Sequence, residues 1–192
     1  MEDLLRHVAA LEAEYRERIA ARLQVGQGGS PPADWFRWAD QLQKLPGHME
    51  GLEHWMQIEE QMIDPMVSQV VMMLDQGLTN EPMAEMWASW RERYLPALDS
   101  LLDAFRARAA RQSQAMSDRV AGALNPHLPP ERQGESLVRK TLWVSASTPG
   151  VTAVLLGMRH PEYVEDGMEI LKWPPLSDVR KIFEAMREVR VD

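Results

Sequence analysis

The sequence predicts a mainly α protein: a multi-helix region followed by a single βα element. Three observations lead there. Apolar residues recur three or four positions apart through the first 124 residues. The stretch NPHLPPERQG, Asn125 to Gly134, is too rich in proline for regular structure. VTAVLL, 151–156, is the one short β-branched apolar run. The chain thus divides into a helical region 1–124, a Pro-rich linker 125–134, an α-β-α element 135–176 and a C-terminal helix 177–192.

Leu4, Val8, Leu11, Tyr15, Ile19 and Leu23 form one apolar stripe, the mark of an amphipathic helix. GQGGSPPAD, Gly26 to Asp34, ends it, and Asp34 can cap a short helix carrying Trp35 and Trp38. After Leu45-Pro46-Gly47 a Met- and Gln-rich helical pattern runs from about His48 to Gln76. Pro65 should kink or split it, having no N–H to donate to the preceding turn. Gly77 to Pro82 stops one helix and starts the next, which extends from about Met83 to Ala123 with Trp87 and Trp90 on one face and Pro96 inside. Beyond the linker, Glu135 to Ser147 reads as a helix, Thr148-Pro149-Gly150 as a tight turn and 151–156 as a strand. Pro161 opens a helix to about Lys172, and Ser177 caps a last one.

Composition narrows the function classes. The chain has 192 residues, a net charge of −8 and no cysteine. That excludes thiolate metal or redox chemistry and disulfides, and argues against a nucleic-acid or anionic-membrane surface. No run approaches the roughly 18 apolar residues of a membrane span, so a cytoplasmic protein is expected. Thirteen Met and seven Trp are the compositional excesses. Met62, Met66, Met73, Met83 and Met86 read as adaptable packing residues, with a groove for a partner helix as the alternative. The Trp pairs 35/38 and 87/90 read as helix–helix anchors.

The strand poses an arithmetic problem. Apolar on both faces, 151–156 reads as a buried parallel strand. A lone strand has no sheet, and each buried backbone group without a partner costs about 1–3 kcal/mol. Six such residues would forfeit on the order of 10 kcal/mol, comparable to a domain's whole stability. The strand is therefore expected to pair with a second copy of the chain, with a partner protein that completes the sheet, or with the rest of a larger protein; the alternative is that the segment is helical or irregular.

The residues that follow it carry a possible anion site. Gly157 permits close backbone approach, the N–H groups opening the next helix favour an anion, and Arg159 can contact phosphate bidentately. STPGVTAVLLGMRHPEYVEDGMEIL resembles the last strand and following helix of the aldo-keto reductase barrel, a (β/α)8 fold. SLVRKTLWVSASTPG is similar to the preceding barrel helix and turn. LPPERQGESL and WASWRERYLPALDSLLDAF are similar to a long helical insertion in a bacterial subgroup. The close resemblance covers about Glu135 to Leu176, with a weaker part from about Trp87. It implies that Gly157, Met158, Arg159 and Glu162 contact the adenosine 2′-phosphate of NADP(H). Gly167 stands where the family commonly has an Asn that contacts adenine. A whole barrel needs about 250 residues, and nothing before Glu135 looks like the early strands that carry the family's catalytic residues. No catalytic residue is assigned.

Elsewhere, Glu50 and His54 stand four apart beside Glu53, Gln57 and Glu60 in HMEGLEHWM and its continuation. A helical di-iron site needs two Glu-x-x-His elements on separate helices and none is present here, so this reads as a solvated polar face and no metal is assigned. The function expected is the NADP-phosphate side of an aldo-keto reductase-like oxidoreductase, not catalytically sufficient alone. The alternative is a non-enzymatic helical interaction or assembly protein that keeps the βα element for docking.

Overall fold

The computed structural model describes residues 1–23, 31–45, 51–157 and 161–189. It is 78% helical. Eight α-helices are described: α1 Glu2–Arg18, α2 Trp38–Lys44, α3 Leu52–Ile58, α4 Asp64–Gly77, α5 Glu81–Leu124, α6 Leu137–Ala146, α7 Pro161–Ile170 and α8 Arg180–Arg187. Among the described residues there is no β-strand. This corrects the expected βα element resembling the end of a (β/α)8 barrel, while the mainly α character holds. Two compact units are present, Met1–Ser113 and Gln114–Asp192, with α5 contributing residues to each.

The core of the first unit is aromatic. Phe36, fully buried, has the rings of Tyr15 at 4.8 Å, Trp90 at 4.9 Å, Tyr94 at 5.2 Å and Trp87 at 5.9 Å around it. The predicted stripe of α1 supplies Val8, Leu11 and Tyr15 to this cluster, and Ile19 just beyond the helix. Trp87 and Trp90 are stacked anchors, as their spacing suggested, and each indole N–H is satisfied: Trp90 Nε1 donates to the Leu11 carbonyl at 2.7 Å and Trp87 Nε1 to Asp75 Oδ1 at 2.6 Å. Trp38 is buried as the first residue of α2, whereas Trp35 lies before that helix and is half-buried.

One carboxylate ties three helices together. Glu12 of α1, 2% exposed, accepts from the Ala39 N–H at the start of α2 (3.1 Å) and from the Tyr94 hydroxyl of α5 (3.0 Å) with the same oxygen. The N-cap of α2, Arg37, makes no side-chain cap bond, so Glu12 caps that helix from α1. Desolvation pushes the Glu12 carboxyl above its ordinary value, opposed by these hydrogen bonds. At the surface, Glu14 accepts from both terminal nitrogens of Arg93 at 2.9 Å, which holds its carboxyl low.

Pro65 does not end the helical run. Residues Glu59–Ile63 form a π-helical turn between α3 and α4, and Pro65 follows in the first turn of α4. A proline cannot donate to the carbonyl four residues back, and the wider turn is where the ladder absorbs that loss. The turn keeps Trp55, Glu59, Ile63 and Leu74 inward: Trp55 stacks on Phe105 at 5.2 Å, and Glu59 is paired with Arg106 (2.5 and 3.3 Å). Gly51, at φ 140°, begins α3 where the Leu52 N–H meets Ser113 Oγ at 2.8 Å. A Cβ there would sit 2.6 Å from that oxygen, so the position admits only glycine.

The methionines are where the expectation changes. Met83 and Met86 pack against the core, half-buried. Met62 and Met66 are 54% and 51% exposed, and Met56, Met72 and Met73 are exposed too. The inward positions of this stretch are taken by Trp55, Ile63 and Leu74, so its methionines are surface residues and not core filling.

Candidate functional site

The second unit holds every residue of the expected phosphate site. Its core is small: Leu124, Leu128, Trp143, Val144, Trp173 and Ile182. Trp143 meets Trp173 edge-on at 5.1 Å and donates from Nε1 to the Pro174 carbonyl at 2.9 Å. Arg132 lies over the Trp173 ring at 4.1 Å. The stretch 125–134 contains two short 3-10 turns, Asn125–His127 and Pro130–Arg132. Lys140 of α6, 4% exposed, fastens them by donating to Asn125 Oδ1 (2.9 Å) and the Gln133 carbonyl (2.5 Å). Replacing Lys140 by alanine leaves both acceptors without their donor. It should cost this unit about 2–3 kcal/mol, read as a lower urea midpoint of the Trp143/Trp173 emission.

α6 packs against α7, and an ion-pair chain runs across the pair. Arg139 donates from Nε to Asp166 at 2.7 Å and pairs with Glu135 at 3.1 Å, which also pairs with Arg132 at 3.1 Å. Ser136 caps α6, its Oγ accepting from the Arg139 N–H at 3.2 Å. The predicted turn after α6 is present. Thr148 Oγ1 donates to the Val144 carbonyl at 2.8 Å, Val151 N–H donates to the Thr148 carbonyl at 3.1 Å, and Gly150 takes the left-handed φ of 87°.

From Val151 to Gly157 the chain has neither helix nor strand and runs on the surface. The expectation of a buried strand is thereby corrected. Leu155 is 98% exposed, and only Leu156 of this segment is half-buried. Among the described residues, the N–H and C=O groups of 152–157 have no protein partner. Placed in water they escape the burial penalty, which is how a lone β-branched run can be left without a sheet. Beside it α6 and α7 form an apolar groove of about 300 Å3, lined among others by Leu142, Ala146, Val154, Leu156, Val164 and Met168. Leu156 reaches α7 at Gly167: a Cβ there would stand 3.0 Å from Leu156 Cδ2, which accounts for the glycine at that position.

Of the four residues assigned to phosphate, Gly157 ends the exposed segment, and a Cβ built on it would meet nothing within 4 Å. Glu162 is exposed in the first turn of α7. Met158 and Arg159 lie outside the described residues. Gly157 and Glu162 are thus brought to one end of α7, where the helix's free N–H groups favour negative charge. Lys140 and Arg139, which the sequence does not single out, act instead as structural ties of this unit. Their signal was weak, since adjacent basic residues on a helix usually face water.

Among the described residues, no group of three or more His, Cys, Asp or Glu could hold a metal ion, and Glu50 lies outside them. No described helix is long and apolar enough to cross a membrane. Comparison with protein-family models, with curated proteins and with solved structures gives no match.

Proposed function

We propose that the chain forms the nucleotide-phosphate side of an aldo-keto reductase-like oxidoreductase, binding NADP(H) and relying on residues supplied by a partner for the reduction itself. One observation carries this reading. An apolar segment, 151–157, lies on the surface, the N–H and C=O groups of 152–157 have no protein partner among the described residues, and α7 begins four residues further on. Such a segment offers a partner or a second copy the hydrogen-bonding edge that a strand requires, and it ends where Gly157, Met158, Arg159 and Glu162 would meet a phosphate. The open space beside Gly157 supports the same reading, since close approach of a ligand to backbone needs a position free of side-chain bulk. The 2′-phosphate carries its charge to the N-terminal end of a ten-residue helix, and the guanidinium of Arg159 would add charge-assisted hydrogen bonds.

Titration with NADPH, followed by the emission of Trp143 and Trp173, tests this directly. Saturable binding is expected, tighter for NADPH than for NADH. Arg159→Ala should weaken NADPH binding by about ten- to a hundredfold while leaving NADH binding nearly unchanged. Absence of saturable binding, or equal binding by the variant, would rule the reading out.

A further inference from the structure

Methionine has two environments in the first unit. Met83 and Met86 are half-buried against the core. Met56, Met62, Met66, Met72 and Met73 are 43–57% exposed, all within α3, α4 and the π-helical turn between them. Trp55, Ile63 and Leu74 take the inward positions of the same stretch, so little of the packing rests on these five thioethers. Elsewhere among the described residues, Met1 and Met168 are also exposed, each singly.

The five are the readily oxidised groups of their surface. The chain has no cysteine, so no thiol competes for an oxidant. Trp55, Trp87 and Trp90, the indoles of this region, are buried. Charge narrows the class of oxidant. From Leu45 to Trp90 there is no Lys or Arg, against eight Asp and Glu. A negative field lowers the local concentration of anionic oxidants and leaves an uncharged one unaffected.

We propose that Met56, Met62, Met66, Met72 and Met73 are a site of reversible oxidation by an uncharged peroxide. The sulfur lone pair attacks one oxygen of hydrogen peroxide. An S–O bond forms, the O–O bond breaks, and the departing hydroxide takes the proton left on the transferred oxygen. The products are a sulfoxide and water: the sulfur loses two electrons and the peroxide gains them. A methionine sulfoxide reductase, supplied with a thiol, returns the thioether. Each event exchanges an apolar side chain for a polar one at the surface. The buried residues beneath keep the helices in place, and Met83 and Met86 are shielded by the contacts that half-bury them.

Trypsin releases both kinds of methionine in one peptide, from Leu45 to Arg91, because no Lys or Arg lies between those ends. The native whole chain is treated with hydrogen peroxide for increasing times and digested, and fragment-ion mass spectrometry reads the oxygen at each position. The five exposed methionines are expected to oxidise several-fold faster than Met83 and Met86. In urea the seven should react at one rate. When the five carry oxygen, the near-ultraviolet circular dichroism and urea midpoint of the untreated chain should be retained, and reductase with thiol should remove the added mass. Equal rates in the native chain would overturn the proposal, as would an order that persists in urea, which would assign the selectivity to local sequence. Loss of the folded signal at that stage, or sulfoxides that the reductase leaves in place, would overturn it too.

Discussion

Phe36→Ala should lower the unfolding free energy of the first unit by about 3–5 kcal/mol. The phenyl ring is fully buried and surrounded by Tyr15, Trp87, Trp90 and Tyr94, drawn from α1 and α5. Its removal opens a cavity among rings whose own positions are fixed. Trp90 is held by its bond to Leu11 and Trp87 by its bond to Asp75, so the walls cannot collapse freely and the cost falls at the upper end of large-to-small changes. Domain stabilities total about 5–15 kcal/mol, so this single ring separates a folded unit from a marginal one. Urea unfolding monitored by near-ultraviolet circular dichroism reads the effect. A loss under about 1 kcal/mol would show that the cluster can repack and that Phe36 is not its centre.

The second large effect is expected at Glu12. Glu12→Ala removes the acceptor of the Ala39 N–H and of the Tyr94 hydroxyl, both inside the fold, and should cost about 2–4 kcal/mol. The same residue sets a pH dependence. Burial raises its carboxyl pKa in the folded chain, so the native state holds this proton to higher pH than the unfolded state does. Its contribution is complete below the ordinary Glu range and is lost as pH rises through the raised value. Glu14 has the opposite sign: Arg93 lowers its pKa, so its contribution is present above the ordinary Glu range and lost as pH falls. That group is near the surface, and the effect is small and screened by salt. Urea midpoints measured across the acid-to-neutral range should therefore fall on the upper side for the parent. Glu12→Gln, which cannot ionise, should flatten that fall and leave the acid limb. An unchanged upper limb in Glu12→Gln would mean that Glu12 titrates as an ordinary surface group.

How much of this was legible in the sequence differs from residue to residue. The α1 stripe, the Trp87/Trp90 pair and the Thr148-Pro149-Gly150 turn follow from local rules, periodicity and turn chemistry, and all three are found. Glu12 was hidden because a charged residue on a helix usually faces water. A signal was nonetheless there: it stands four after Val8 and three before Tyr15, inside the apolar stripe. Phe36 gave no comparable sign, because its neighbours come from distant parts of the chain. The methionine face was misread for a mechanical reason. Methionine is expected to fill a core, but here the inward positions of 52–77 are taken by Trp55, Ile63 and Leu74, which leaves Met62, Met66 and Met73 outside. At 151–157 the error was of another kind. β-branched apolar residues express a preference for a pleated, half-buried surface, and that preference becomes a strand only where another strand exists. In the candidate site, Gly157 and Glu162 are named by motif alone, whereas the ties through Lys140 and Arg139 depend on packing that no local pattern records.

The bare segment 151–157 also bears on the solubility of the chain. Stability purges mutations at Phe36 or Trp90, but it has little hold on residues such as Leu155 that touch almost nothing. Where the core asks for nothing, substitution admits Ser, Lys, Glu and Gln as readily as Val, and solubility even favours them. Val151, Thr152, Ala153, Val154, Leu155 and Leu156 are nevertheless apolar or β-branched. An exposed run of this composition is a liability for solubility, and Leu155 does nothing for the fold to offset it.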